Sequence, residues 1–228
     1  MNALILSAGY GKRLRPYTLI KPKCLIKVKG KPILSIWIEK LIKINTKKIY
    51  INTHYHHKQV ENYLKKKGLN IKLKTLYEPS LLGTAGTLIK NMKYFLNSNL
   101  LLAHCDNYFL ESLSKMITFH HNRPKKYLMT MMAFKTTEPE NCGILKEKNN
   151  SIIEYFEKKK GDNGNLANGA IYILSPEMLR IILDNFSDAK DFSKDIIPFI
   201  KKYIYVYKTK KIFQDIGSIK NLNQINNL

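Results

Sequence analysis

The stretch Ala3-Leu4-Ile5-Leu6-Ser7-Ala8-Gly9-Tyr10-Gly11-Lys12-Arg13-Leu14-Arg15 decides the reading of this chain. Its first four residues form a short, continuous apolar run, the pattern of a strand buried on both faces. The run empties into Ala8, Gly9 and Gly11, which lack bulk and let backbone N–H groups approach a ligand closely. Lys12, Arg13 and Arg15 follow at once, then Lys21 and Lys23 on either side of Pro22. Small residues and cations at the end of a first strand predict a cradle for a polyphosphate. Two better-known phosphate loops are excluded. No segment supplies G-x-x-x-x-G-K-[ST]. The dinucleotide fingerprint fails because Leu14 stands where its third glycine belongs and Pro16 opposes an immediate helix.

Outward from this loop, strand and helix alternate. Gly30-Lys31-Pro32 reads as a turn, with Pro32 in the first turn of a helix carrying Ile33, Leu34, Ile36, Trp37, Ile38, Leu41 and Ile42 at helical spacing. Strands are predicted over 48–52, 71–76 and 100–103, with a polar helix over 54–67 closing near Gly68 and a further helix from about Thr84. This alternation is the signature of a mostly parallel sheet with helices on both faces. Ligands of such sheets bind beyond the carboxyl ends of the strands. The glycine loop, the segment Glu78–Gly86 and Asp106 all fall at such ends. The second half is less regular. Strands are expected over 127–134, 143–147, 152–157, 168–174 and 203–208, with an Asn149-Asn150 turn. Helices are expected over 176–183, 193–201 and 219–225.

With 228 residues, 44% of them hydrophobic, the chain can bury a sizeable core. No run of about 18 apolar residues occurs, so no membrane helix is expected. The opening lacks the pattern of a secretory leader, and Cys24, Cys105 and Cys142 are scattered without zinc spacing. Together these features predict a cytoplasmic protein. The net charge of +22 raises nucleic acid as a partner. Its lysines spread along the whole chain, however, so no dedicated nucleic-acid site is expected. No hexapeptide repeat is present, and no appended β-helix is expected.

Two acids stand out. Asp106 ends an apolar strand, and Asp215 lies between apolar residues in Phe213-Gln214-Asp215-Ile216-Gly217-Ser218. Each reads either as a helix cap or as a metal ligand. Beside a phosphate cradle, the pair suggests one Mg²⁺ shared with phosphate oxygens.

Taken together, these segments resemble the sugar-1-phosphate nucleotidyltransferases, and among them the mannose-1-phosphate guanylyltransferase-like branch. The matching pieces are LSAGYGKRLRPYTLIKPK (6–23), GKP (30–32), EPSLLGTAG (78–86), HCDN (104–107), CGIL (142–145), FEKK (156–159), NLANGAIYIL (165–174), DFSKDIIP (191–198) and FQDIGS (213–218). They cover nearly the whole chain. The resemblance implies one α/β domain over 1–228: a mixed, mostly parallel Rossmann-like sheet flanked by helices, with a smaller sugar-binding extension. The nucleotide-binding half would span about 1–110 and the sugar-binding half about 111–228. It implies that a nucleoside triphosphate and a sugar 1-phosphate give a nucleotide sugar and pyrophosphate by in-line attack. Such chemistry asks for positioning and charge neutralisation rather than a nucleophilic side chain.

By place in the motifs, Arg13 and Lys23 are the implied catalytic cations. Ala8, Gly9, Gly11, Arg13, Lys23, Glu78, Gly83 and Asp106 would bind the nucleotide. Gly143, Glu157, Lys158 and Asn168 would take the sugar phosphate, and Asp106 and Asp215 would hold Mg²⁺. Gly143 also reads as an ordinary strand glycine, and Glu157-Lys158-Lys159-Lys160 as a solvated charge run. The chain departs from the family pattern in three places: Lys12 for a usual Ser or Thr, Lys159 for a usual Pro, and Ser218 for a usual Thr. None removes a group the reaction requires.

A carboxylate is acceptor-only, and guanine presents adjacent N1–H and N2–H₂ donors. Glu78 therefore predicts GTP over UTP, dTTP or CTP. The resemblance favours mannose or a manno-configured heptose as the sugar, and glucose and an amino sugar stay open. A nucleotidyltransferase using one of the other triphosphates, an inactive nucleotide-sugar-binding protein of this fold and a basic nucleic-acid-binding protein stay open. The oligomeric state is open too.

Overall fold

A computed structural model describes residues 1–66, 72–159 and 161–228. The expected helix end at Lys67–Gly68, the strand start at Ile71 and Lys160 of the charge run lie outside the described residues. The architecture is α/β, as the alternation predicts, and it divides into two compact units that interleave along the chain. The first comprises Met1–Leu81, Ala103–Leu110 and Ile212–Leu228. The second comprises Leu82–Leu102 and Glu111–Lys211.

In the first unit the strand Asn2–Leu6 pairs in parallel with Ile49–Thr53, which pairs in parallel with Leu73–Tyr77. Ala3, Leu4 and Ile5 are fully buried, as a strand covered on both faces requires. The helix Ile33–Lys43 turns Ile33, Leu34, Trp37, Ile38 and Leu41 inward, while Ile36 and Ile42, expected with them, are only half-buried because they lie off the stripe formed by 34, 37, 38 and 41. Pro32 sits just before that helix rather than inside its first turn, and pairs with Lys27 in a two-residue ladder. Trp37 also fixes a site element. Its indole N–H donates to the Asn107 carbonyl at 3.1 Å, and its ring lies 5.1 Å from Phe109. Asn107–Phe109 is a short strand antiparallel to Phe213–Asp215, with Asp215 opposite Asn107. Sequence periodicity does not reveal this ladder, because three-residue strands are too short to show a period.

The second unit has a different sheet pattern. Here Leu166–Leu174 pairs antiparallel with Met129–Lys135, which pairs in parallel with Ile204–Lys208. Ser151–Glu157 and Gly143–Lys148 form an antiparallel hairpin through Asn149 and Asn150, both at positive φ as a tight two-residue turn demands. The longer strands thus pair in parallel in the first unit and mostly antiparallel in the second. Gly143–Lys148 also pairs with Leu166–Leu174, through Ala167 and Ile144, which brings Gly143 toward Asn168. Helices Gly83–Lys90, Leu113–His121 and Pro176–Asn185 complete this unit. Leu113–His121 is absent from the sequence-based expectations, because its mixed Ser, Lys, Thr and His content hides the apolar positions Leu113 and Met116. Where one helix is expected over 193–201, a π turn at Phe192–Ile196 leads into a short α-helix, Ile197–Ile200. No helix among the described residues is long and apolar enough to cross a membrane.

Candidate active site

After the strand Asn2–Leu6 the chain makes the small-residue loop. Ala8 is buried, while Gly9 and Tyr10 are exposed. Gly11 adopts φ +63°, and an added Cβ would press on Thr18 and Lys23. Glycine is therefore demanded twice, by backbone conformation and by space. The Gly11 carbonyl accepts from the Thr18 hydroxyl at 2.9 Å and from the Leu14 N–H at 2.9 Å. These bonds fold Lys12–Leu14 into a tight turn that leaves Lys12, Arg13 and Arg15 exposed.

Lys23 forms a hydrogen-bonded ion pair with Asp106. Burial works against the Asp106 charge, but the Lys23 cation outweighs it, with His104 adding, and holds the carboxyl down at about 2. Asp106 is no helix cap. It is followed by a strand, and the next helix starts after Ser112. Asp215 is no helix cap either. Its Oδ1 accepts from the Gly217 N–H at 2.6 Å, and Ser218 caps the helix Ile219–Asn227 by accepting from the Asn221 N–H.

Gly217 explains the small residue in FQDIGS. A Cβ there would overlap both Asp215 Oδ1 and the Arg13 guanidinium. The room a side chain would take at 217 is occupied by one cation from the glycine loop and one acid from the last strand. The backbone joins the two acids as well: the Ile216 N–H donates to the Asp106 carbonyl at 2.8 Å. Arg13, Lys23, Asp106 and Asp215, predicted from three segments of the sequence, are thereby brought into one neighbourhood of the first unit. No group of three or more His, Cys, Asp or Glu with metal-binding geometry occurs among the described residues. The two carboxylates are hard oxygen donors suited to a divalent cation such as Mg²⁺, provided that phosphate and water oxygens complete its shell.

Glu78 is 2% exposed. Its Oε1 accepts from Asn52 Nδ2 at 3.0 Å, and Asn52 Oδ1 accepts from the Ser7 N–H at 2.6 Å. A second bridge runs from the Tyr10 hydroxyl to His54 Nε2 at 3.2 Å, and from His54 Nδ1 to the Glu78 carbonyl at 2.8 Å. Asn52 and His54 tie Glu78 to the glycine loop. Neither is among the residues singled out from sequence; their signal was polar residues at the end of an otherwise apolar strand, where a buried side chain needs a partner.

In the second unit, Gly83 opens its helix at φ +80°, where an added Cβ would overlap the Lys190 carbonyl. The Ala85 N–H donates to that carbonyl at 3.0 Å, and the Phe192 N–H donates to the Thr84 hydroxyl at 2.7 Å. This unit also gathers Gly143, Glu157 and Asn168. The Tyr155 hydroxyl donates to Glu157 Oε2 at 2.6 Å, and Asn168 Nδ2 donates to the Tyr172 hydroxyl at 2.8 Å and the Tyr155 hydroxyl at 3.3 Å. Burial raises the Tyr155 hydroxyl well above the usual phenol range, reinforced by Tyr172 and Glu157, so it remains a proton donor. Lys158 is exposed. Its ammonium lies 3.8 Å from Glu157 Oε1, and its backbone is at positive φ.

The sequence matches the family model described as Nucleotidyl transferase over residues 2–228. The chain belongs to that family. It is 30% identical over 227 residues to a putative mannose-1-phosphate guanyltransferase of Sulfolobus acidocaldarius, covering 99% of this chain and 62% of that protein. It is also 30% identical to the mannose-1-phosphate guanylyltransferase catalytic subunit beta of Dictyostelium discoideum, covering 97% of this chain and 62% of that protein. The chain thus spans 62% of the length of both relatives. Among solved structures, a putative glucose-1-phosphate thymidylyltransferase from Bacillus anthracis superposes with a TM-score of 0.88 at 22% identity, covering 100% of this chain and 94% of that one. HddC from Yersinia pseudotuberculosis, in its complex with GMP-PN, superposes with a TM-score of 0.80 at 24% identity, covering 99% and 98%. These two likenesses are likenesses of fold.

Proposed function

We propose that this protein condenses a nucleoside triphosphate with a sugar 1-phosphate, giving a nucleotide sugar and pyrophosphate. The observation that carries the reading is the meeting of Arg13 and Asp215 over Gly217 beside the Lys23–Asp106 pair. That arrangement offers two cations for phosphate charge and two acids for a metal ion, with no nucleophile–base pair. A phosphate oxygen of the sugar 1-phosphate attacks the α-phosphorus in line, and the bond to the β-phosphate oxygen breaks as pyrophosphate leaves with the electron pair. The Ala8–Gly11 backbone and Arg13 hold the triphosphate, and Lys23 neutralises charge at the reacting phosphates. Asp106 and Asp215 would hold one Mg²⁺, which supplies further neutralisation of phosphate charge when bound. Gly143, Glu157 and Asn168 bind the sugar, and Lys158 its phosphate.

GTP is the proposed nucleotide, and mannose or a manno-heptose the proposed sugar. Supporting this are the acceptor-only carboxylate of Glu78, Gly83 at the start of its helix, and relatives named as mannose-1-phosphate guanylyltransferases. The reading extends to a cytoplasmic enzyme supplying polysaccharide or lipopolysaccharide synthesis.

The test is a pyrophosphate-release screen crossing GTP, UTP, dTTP and CTP with a panel of sugar 1-phosphates in the presence of Mg²⁺. GTP with a manno-configured sugar is expected to give the highest kcat/KM. Turnover with no pair would sink the reaction, and a preference for UTP or dTTP would sink the guanine assignment. Glu78→Gln is expected to cut the GTP preference by roughly tenfold or more, since it leaves base donors unmatched. An unchanged preference would move Glu78 from reading the base to holding Asn52.

A further inference from the structure

Three of the residues proposed to bind the sugar come from three different strands. Gly143 begins one, Glu157 ends its hairpin partner, and Asn168 lies in Leu166–Leu174. In the structure they meet at a single atom, the hydroxyl oxygen of Tyr155. Its one proton goes to Glu157 Oε2 at 2.6 Å, so toward Asn168 Nδ2 at 3.3 Å it acts as acceptor. The Asn168 orientation is fixed independently, because its Oδ1 accepts from the Ala170 N–H at 2.9 Å and only the amide nitrogen faces the hydroxyls. The same hydroxyl, together with Glu157 Oε2, fills the space over Gly143, where a Cβ would overlap both. The strand around Asn168 is shaped to the same end. Its register slips between Asn168 and Tyr172, and Ala170 takes φ +48°.

We infer that Tyr155 is a positioning residue for sugar recognition: its hydroxyl occupies Glu157 Oε2, orients Asn168 and leaves Glu157 Oε1, beyond hydrogen-bond distance at 3.8 Å from the Lys158 ammonium, to accept from a sugar hydroxyl. This rests on the proposed sugar-1-phosphate reading of the same cluster. Tyr155 acts through its neighbours and takes no part in the chemistry at phosphorus. Its loss therefore falls on the sugar substrate and not on the nucleotide. Gly143 serves the arrangement by leaving room for the hydroxyl, which gives a second, independent way to disturb it.

The experiment measures KM for the sugar 1-phosphate, KM for the nucleotide and kcat for wild type, Tyr155→Phe, Gly143→Ala and the double variant, with thermal melting to follow folding. Tyr205→Phe is the control. It removes another tyrosine hydroxyl of the same unit, one that accepts from Asn150. Wild-type turnover comes first, and if no substrate pair turns over, the sugar-phosphate reading itself falls and this proposal with it. Given turnover, Tyr155→Phe is expected to raise the sugar KM by roughly tenfold, as loss of a buried bond to a charged group does. The nucleotide KM and kcat should stay within about twofold of wild type. Gly143→Ala should produce the same split, and the double variant should be little worse than either single one, since both disturb the one bond between Tyr155 and Glu157. An unchanged sugar KM in Tyr155→Phe overturns the proposal. So does a rise in both KM values together with a lowered melting temperature, which marks a merely structural tyrosine. Should Gly143→Ala fail to fold, the split in Tyr155→Phe against Tyr205→Phe decides alone.

Discussion

The acidic and basic residues of the first unit and the hydroxyl cluster of the second solve the problem of holding polar groups in different ways. In the first, Lys23 and Asp106 face each other as full charges, and Arg13 shares the space over Gly217 with Asp215. In the second, the Tyr155 and Tyr172 hydroxyls and the Asn168 amide are neutral, with Glu157 as the one acid among them. A triphosphate brings several negative charges and asks for electrostatic neutralisation. A sugar brings neutral hydroxyls and asks for oriented donors and acceptors. Substitutions that keep shape but remove charge should therefore be severe in the first region, and substitutions that remove a hydroxyl should be modest and substrate-selective in the second.

The sharpest contrast is expected at the acids. Asp106→Asn and Asp215→Asn should each lower kcat by roughly a hundredfold or more, the scale of losing one electrostatic stabiliser. Steady-state kinetics across a Mg²⁺ titration checks this, on variants whose melting shows them folded. Near-native turnover at limiting Mg²⁺ would remove that residue from the proposed metal site and level the two regions.

A smaller effect concerns where positive charge counts. Arg13→Ala and Lys23→Ala should lose roughly tenfold to a hundredfold in kcat/KM, whereas Lys65→Ala and Lys66→Ala, exposed at the end of the helix His57–Lys66, should stay within about twofold. Equal losses in all four would mean that the net charge of +22 acts as a diffuse field rather than through a local cradle.

The smallest effect is on stability. The Asp106 carboxyl is depressed from 3.8 to about 2 in the folded chain. A group whose folded value is lowered contributes stability that is present above the unfolded value and is lost as pH falls through the folded one. Wild type should thus lose about 1 kcal/mol on this account between neutral pH and pH 3, and Asp106→Asn should lack that component. Urea titrations of both proteins at pH 6 and at about pH 3 measure the difference. Equal pH sensitivity would mean that the pair adds no net stability.

What the sequence disclosed follows the same division. The residues proposed to handle phosphate lie in short local patterns: the Gly9–Lys23 stretch, Asp106 at a strand end, and Asp215 ahead of Gly217. Each is legible within a few residues. The first strand, Asn2–Leu6, was equally legible, because a strand buried on both faces is apolar through its middle. The strand Asn107–Phe109 was not, since three residues carry no period and its partner Phe213–Asp215 lies far away in sequence. Tyr155 escaped for a related reason. It stands two residues before Glu157, on the same face of its strand, but its tie to Gly143 and Asn168 exists only through strand pairing. Asn52 and Glu78 likewise gained their connection through adjacent parallel strands.

The Lys23–Asp106 pair also bears on how the protein is handled at the bench. With Lys23 beside Asp106, and the Gly217 N–H and Asn221 amide on Asp215, both acids have partners from the chain itself. A preparation washed in EDTA is therefore expected to keep its melting temperature, and to serve as a clean starting point for calorimetric titration with divalent ions. The heat of such a titration would include the exchange of an internal counter-ion for an external one, so its apparent affinity should rise when Lys23 is replaced by a neutral residue.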